Sequence, residues 1–505
     1  MFCLKPTYLV LVLGLLILPL ALSGQTVSTD QFDAGQPVLL DSSQHRLNFY
    51  DFALNPAGLF DDEQRKSLQI RQYADYTSGA YQLPFDAEES MDQHYFVRSV
   101  QPLTENDIFK GYFAYHRKND QEIMFVDQSE NLGKNPYVFA DSSTGDFTLN
   151  GLYWGAEWAH RFNQNWQSGA MFYYNVDQRL KDVFPKPLNK HRNISFRYGL
   201  QFQSKSWTAG ISYAYFDDQE KIEISKYNLD QDLTPVMLKF RFSDLPVIER
   251  GKTSEEREIS NFGHQIGFQF KKEFKASTIL ASYSRLSRDV DIVDGGSQNV
   301  SQGSYKIINE LVQTQIVHRF KNLDTRISYA FQNNTFKARH PDFDLITWQA
   351  PDQSHRIQSS LKMHYWRNLP LFLDAGYSWN SENRVDRMTD NYWRFQNNRI
   401  FGKAGFAYKF FERLEAAGWY GLQQTASLNS ERSNNAYSEY YNYLFNDPYK
   451  YYTQNNLLNT IGLKLVYRYG PMLNVEVFLN YNNLQAEHTH RNQLLFGLHA
   501  DIFIF

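Results

Sequence analysis

Residues 147–177, FTLNGLYWGAEWAHRFNQNWQSGAMFYYNVD, alternate in polarity on both sides of a short polar break. Leu152, Trp154, Ala156 and Trp158 share one face, with Tyr153, Gly155 and Glu157 between them. After Asn163, Gln164 and Asn165 the alternation resumes as Trp166, Ser168, Ala170, Phe172 and Tyr174. A period of two over this length predicts two strands, and so short a polar connection predicts a hairpin. Residues 193–216 repeat the pattern. There Ile194, Phe196, Tyr198, Leu200 and Phe202 oppose Ser195, Arg197, Gly199 and Gln201, and a three-residue turn leads into Trp207, Ala209, Ile211, Tyr213 and Tyr215.

Further pairs occupy 264–284, 312–332, 355–378, 400–423 and 459–481. Near the N-terminus, 93–101 and 108–118 form another pair, and 66–76 is a candidate first strand. Turns within pairs are short, whereas the connections between pairs are long and polar, as in 218–258 and 425–453. That asymmetry predicts an all-β fold, a transmembrane antiparallel β-barrel of 16–18 strands, best counted as 18. Its short turns would be periplasmic and its long loops extracellular.

Composition agrees. Aromatic residues make up 16% of the chain although mean hydropathy is −0.55. A barrel reconciles the two, because lipid-facing apolar residues alternate with polar lumen residues and aromatic girdles mark both interfaces. The last residues, LLFGLHADIFIF (494–505), are apolar in a way that an exposed soluble edge strand avoids. In a closed barrel the last strand pairs with the first, and the terminal aromatic resembles the signal read by barrel assembly machinery. Phe503 and Phe505 share a phase with His499 and Asp501, not with the apolar face of Phe496, Leu498, Ala500, Ile502 and Ile504; a bulge would reconcile the two.

Residues 1–24 carry one lysine, an apolar run from Tyr8 to Leu22, and small Ala21 and Ser23, which predicts a cleaved secretory signal. The chain after it holds 50 basic and 55 acidic residues and no cysteine, since the single cysteine is Cys3. Disulfides, cysteine metal ligands and nucleic acid are excluded as themes. The expected organisation is therefore signal peptide 1–24, a periplasmic or luminal segment 25–65, and a barrel 66–505. The expected location is the cell outer membrane.

Candidate sites follow from that organisation. Inward phase places Glu157, Arg197, Lys362, His364, Asp374, Lys403, Glu415, Lys464 and Glu476 at the lumen, where mixed charges screen a pore or neutralise one another. His488 and His490 share a strand face and are weak metal candidates, lacking a third ligand. The tyrosine-rich stretch 437–452 holds Tyr437, Tyr440, Tyr441, Tyr443, Tyr449, Tyr451 and Tyr452. Rings of this kind either contact a partner or pack the loop on the barrel rim. No nucleophile elbow, HExxH, phosphate loop or catalytic cysteine occurs, so no enzyme and no cofactor are expected.

Two resemblances add to this reading. Residues 111–120, 136–174 and 179–202, with Pro185–Asn189 between two strands, resemble a Bacteroidota-type outer-membrane β-barrel family of unknown function. The resemblance implies barrel and location and no chemistry. Asn55, Pro56 and Gly58, in FYDFALNPAGLF (49–60), resemble an N-terminal hatch of long-chain fatty-acid transporter-like barrels, which implies a luminal plug gating an apolar ligand. Solute transport or passage across the outer membrane is the expected function. The alternative is a non-conducting scaffold docking lipoproteins or another outer-membrane protein; a lipid-modifying enzyme is the third. Outer-membrane lipid and the barrel assembly machinery are expected partners in every case.

Overall fold

The computed structural model of the chain describes residues 49–62, 66–124, 134–141, 143–183, 186–225, 237–240, 246–249, 255–295, 299–366, 369–433, 442–470, 472–487 and 489–503. The signal-peptide reading of 1–24 lies outside them. Three short elements come first: α1 (Phe49–Ala53), a 3-10 turn (Pro56–Gly58) and α2 (Leu59–Asp62). The strands are β1 (Ser67–Ser78), β2 (Glu89–Pro102), β3 (Asp107–Ile123), β4 (Phe139–Asp141), β5 (Gly145–Arg161), β6 (Trp166–Lys181), β7 (Lys186–Gln203), β8 (Trp207–Ser225), β9 (Met237–Phe240), β10 (Pro246–Glu249) and β11 (Glu255–Glu273). They continue as β12 (Ser277–Gly295), β13 (Val300–Arg319), β14 (Leu323–Arg339), β15 (Ile346–Gln349), β16 (Asp352–Trp366), β17 (Leu369–Asp386), β18 (Asn391–Phe411) and β19 (Leu414–Arg432). After α3 (Asp447–Thr453) come β20 (Asn456–Tyr469), β21 (Leu473–Ala486) and β22 (Thr489–Phe503).

Eighteen of these strands pair each with its neighbour in an antiparallel ladder, and β1 pairs β22 from Ser67↔Phe503 to Ser78↔Asn492. The sheet is therefore closed, with no free edge for another chain to pair with. Strands β4, β9 and β10 form a separate three-stranded sheet, and β15 is a short addition beside β14 and β17. The terminal strand runs without a register break from both neighbours, so Phe503 keeps the inward phase and no bulge corrects it. Phe505 lies outside the described residues.

Polarity explains the barrel. Outward residues such as Phe113, Trp154, Ile211, Phe268, Ile400 and Leu463 are exposed, a belt that only lipid would satisfy. At the short-turn end, Phe162, Phe274, Phe320, Phe410, Phe411 and Tyr469 ring the rim. Higher on the outer wall, tyrosine hydroxyls reach outward asparagines: Tyr115 to Asn150 at 2.9 Å, Tyr420 to Asn459 at 2.8 Å and Tyr481 to Asn492 at 2.9 Å. An apolar ring with a polar tip bonded away from the belt is the signature of a membrane–water interface.

Several strands run past this interface, and there the polarity inverts. On β8, Ile222 and Ile224 turn inward and are buried while Lys221 and Glu223 face out; β12 does the same with Val290 and Ile292 against Asp289 and Asp291. Above the bilayer the outside of the barrel meets water, so the apolar residues move inside. This corrects two sequence readings. The 218–258 connection narrows to 226–254 and holds β9 and β10, and Pro187–Asn189 belong to β7 instead of a loop.

Candidate functional site

At the short-turn end, the segment 49–62 lies against the inner wall. Asn55 caps the Pro56–Gly58 turn, its Oδ1 accepting from Ala57 N at 3.0 Å, and Pro56 supplies the fixed first position. The wall beneath is unusually bare. Ala159, Gly169, Gly199, Ser212 and Gly267 occupy one register row across β5, β6, β7, β8 and β11. A Cβ at Gly169 would stand 2.4 Å from the Pro56 carbonyl carbon, and one at Gly199 would stand 1.9 Å from Asn55 Oδ1. Asn55 Nδ2 donates to Gln269 Oε1 at 3.0 Å and, at 3.4 Å, to the Leu200 and Ile211 carbonyls, so the side chain is buried with its polar atoms satisfied.

The same segment ties into charge. Tyr50 OH donates to Glu157 Oε1 at 2.8 Å and accepts from Lys110 Nζ at 2.6 Å, while Lys110 and Glu157 are themselves 3.8 Å apart. Burial, followed by the Glu157 carboxylate, pushes the Tyr50 phenol far above its ordinary range, so it stays a neutral donor. Tyr50, Leu59 and Phe60 pack on Val100, Ile108 and Ala159, and the Arg161 guanidinium lies 4.5 Å from the Phe60 ring centre.

The remaining lumen charges stand on the inward face in mixed-sign groups. Arg197 donates to Gln265 at 2.9 Å, and Lys464 pairs Glu476 at 2.6 Å. Asp374 lies directly opposite Lys403, Lys362 covers the Phe372 ring at 5.4 Å, and Glu415 meets Arg468 at 2.9 Å. His364 sits at the rim beside Asp324, 3.2 Å away.

At the other end, two segments fold inward. Tyr137 and Phe139 enter an apolar core of Ile222, Ile259, Ile292, Tyr305, Phe336 and Trp348, held by Lys181 on Asp141 at 2.8 Å and by Arg257 on Asp294 at 2.7 Å. Helix α3 and the residues before it bring Phe445 and Tyr449 onto Trp393, over which Arg384 lies at 3.9 Å. Tyr451 stacks on Tyr81 at 4.6 Å and Tyr452 on Phe395 at 5.8 Å. Three rings of the tyrosine-rich stretch, Tyr449, Tyr451 and Tyr452, thus pack on the inner wall. Tyr437, Tyr440 and Tyr441 lie outside the described residues, as does the side chain of Tyr443.

Beneath α3 is a cavity of about 590 Å³. Its wall is built from register rows of β13, β14 and β16–β19: Gln313, Ala330, Arg356, Ser378, Arg399 and Thr425 in one, and Leu311, Gln332, Ser354, Asn380 and Asn397 in the next. Asn334, Asp352, Glu382 and Phe395 form the upper row, and Phe401, Tyr451 and Tyr452 add aromatic faces. Sequence reasoning passed over these amides because they carry no charge. Aligning the inward phases of neighbouring hairpins would have found them. The same alignment finds Asp92, His94 and His116, which converge on the opposite wall. His490, by contrast, lies exposed at the rim, and His488 is outside the described residues.

A family model described as "Family of unknown function (DUF6850)" matches residues 56–502. No curated protein matches the chain. Among solved structures, the chain is similar to the copper transporter OprC (6% identity, TM-score 0.43, covering 88% of this chain and 81% of that one). It is also similar to the outer membrane transporter YddB from Escherichia coli (6%, TM-score 0.40, 86% and 81%). A third is the CymD monoaromatic hydrocarbon channel (10%, TM-score 0.32, 93% and 97%).

Proposed function

We infer that this chain, which belongs to the DUF6850 family of unknown function, is an outer-membrane barrel that passes a small, uncharged, polyhydroxylated solute through a gated lumen. The observation that carries the reading is the amide-lined cavity. Its volume of about 590 Å³ suits a small ligand. Asparagine and glutamine each offer donors and an acceptor, which matches hydroxyl groups that do both. Phe395, Phe401, Tyr451 and Tyr452 offer flat apolar faces of the kind a sugar ring covers, and the charged lining carries both signs, with Lys134 paired to Asp352 and Glu382 to Arg384 beside Arg356 and Arg399. Such a wall holds a neutral solute without the strong attraction that would prevent its release.

The test is swelling of proteoliposomes containing the folded protein, in mono- to trisaccharides, alongside planar-bilayer conductance. Sugars of one or two rings are expected to enter. Replacing the bonded pair Asn380 and Asn397, 3.1 Å apart, together by leucine should slow entry several-fold while the barrel still folds. Treating both partners at once avoids leaving one buried amide unsatisfied.

A second reading has its own support. Segments fold onto the inner wall at both ends, as a non-conducting scaffold for lipoproteins or a larger outer-membrane complex would allow. A barrel silent to sugars and ions, extracted with a stoichiometric partner, would replace the first reading by this one.

A further inference from the structure

We propose that Asp92, His94 and His116 form a binding site for a divalent first-row transition-metal ion on the lumen wall. The inference is independent of solute passage. His94 on β2 and His116 on β3 lie directly opposite in the ladder, and Asp92 precedes His94 by one inward step. His94 Nε2 is 2.9 Å and His116 Nε2 is 2.6 Å from one and the same atom, Asp92 Oδ1. Asp92 and His116 are buried, and at these distances both imidazoles pair with the one carboxylate oxygen. Three atoms of metal-ligating type therefore converge on a common point. An imidazole pair and a carboxylate already gathered on one point need little rearrangement to bind a cation in place of the shared protons.

The surroundings supply what a metal site needs beyond its ligands. Tyr153 OH contacts His116 Nδ1 at 3.0 Å, fixing the ring through its other nitrogen. His94 is clamped between Tyr73 and His116, with ring centres 4.4 Å and 4.2 Å away and planes within 14° and 12°. Lys118, opposite Asp92 in the ladder, turns to Asp120 at 2.8 Å. Asp75, opposite Asp92 on β1, adds a second carboxylate to the local field. Two imidazoles and one carboxylate select zinc, copper or nickel over calcium and magnesium, which prefer oxygen alone. Three protein ligands leave a position open, and the site faces the lumen.

The experiment uses the untagged full chain, folded in detergent and stripped with chelator, titrated with Co2+ and followed by its visible absorption, then displaced by Zn2+. One equivalent of Co2+ is expected to bind. Since losing an outer partner already weakens metal affinity by about 10–100-fold, Asp92→Asn and His116→Gln should weaken it by at least about 100-fold. His490→Ala should bind as the unaltered chain does. Heat-modifiable electrophoretic mobility confirms each barrel, and His94→Gln replaces either variant that fails that check. Absence of Co2+ uptake by the unaltered chain overturns the proposal, and so does uptake left intact in the Asp92 and His variants.

Discussion

Gly199 shows how one side chain's absence places a whole segment. Its Cα faces Asn55, and an added methyl would land 1.9 Å from Asn55 Oδ1 and 2.9 Å from Pro56 Cδ. Asn55 cannot swing away cheaply, because its amide is held by Gln269 and its oxygen by Ala57 N. Gly199→Ala should therefore leave the barrel ladder intact and release the segment 49–62. Leaving buried groups unsatisfied costs about 1–3 kcal/mol, so amide exchange in 49–62 should accelerate roughly tenfold or more. Unchanged exchange would mean that the wall yields instead. Asn55, Pro56 and Gly58 are legible in the sequence as a turn. The glycines that receive them are not, since each is unremarkable alone and the bare row exists only once four registers are set. Glu157 reads as inward from its phase, but Tyr50, 107 residues away, is invisible as its partner.

Among elements, β20 shows the working unit of the barrel: Ile461, Leu463 and Leu465 face out and are exposed, while Thr460, Gly462 and Lys464 face in. Leu463 sits mid-strand, so Leu463→Arg places a charge near the bilayer midplane. The expected cost is about 2–4 kcal/mol, measured by reversible urea unfolding in lipid vesicles. A negligible change would place Leu463 away from lipid. Alternation of this kind made the strands and their count readable from the sequence. It failed where the environment changes along a single strand. On β8 the phase of Ile211 and Tyr213 is outward, yet Ile222 and Ile224, apolar too, fall on the inward phase. A reader following one apolar face loses the strand at that switch and records a loop. The switch marks the height at which lipid gives way to water.

For the molecule as a whole, the two inward-folded ends act on one path. The segment 49–62 docks near the short turns on the β5–β8 wall, whereas α3 and Tyr137–Phe139 fill the opposite mouth, with the amide-lined cavity beneath α3. Neither arrangement was legible from composition. Aromatic stretches read equally well as partner-binding loops, and the inward folding depends on contacts such as Trp393 with Phe445 and Tyr81 with Tyr451, far apart in the chain. If both ends constrict the path, they act as resistances in series. Removing 49–62 alone, or replacing 442–453 alone by a short glycine-serine turn, should then raise single-channel conductance modestly, because the other constriction still limits flow. Removing both should raise it far more than the two single effects combined. A full opening on removing 49–62 alone would place the whole barrier at the short-turn end. A barrel that stays silent with both removed has no continuous lumen, and the scaffold reading would then stand.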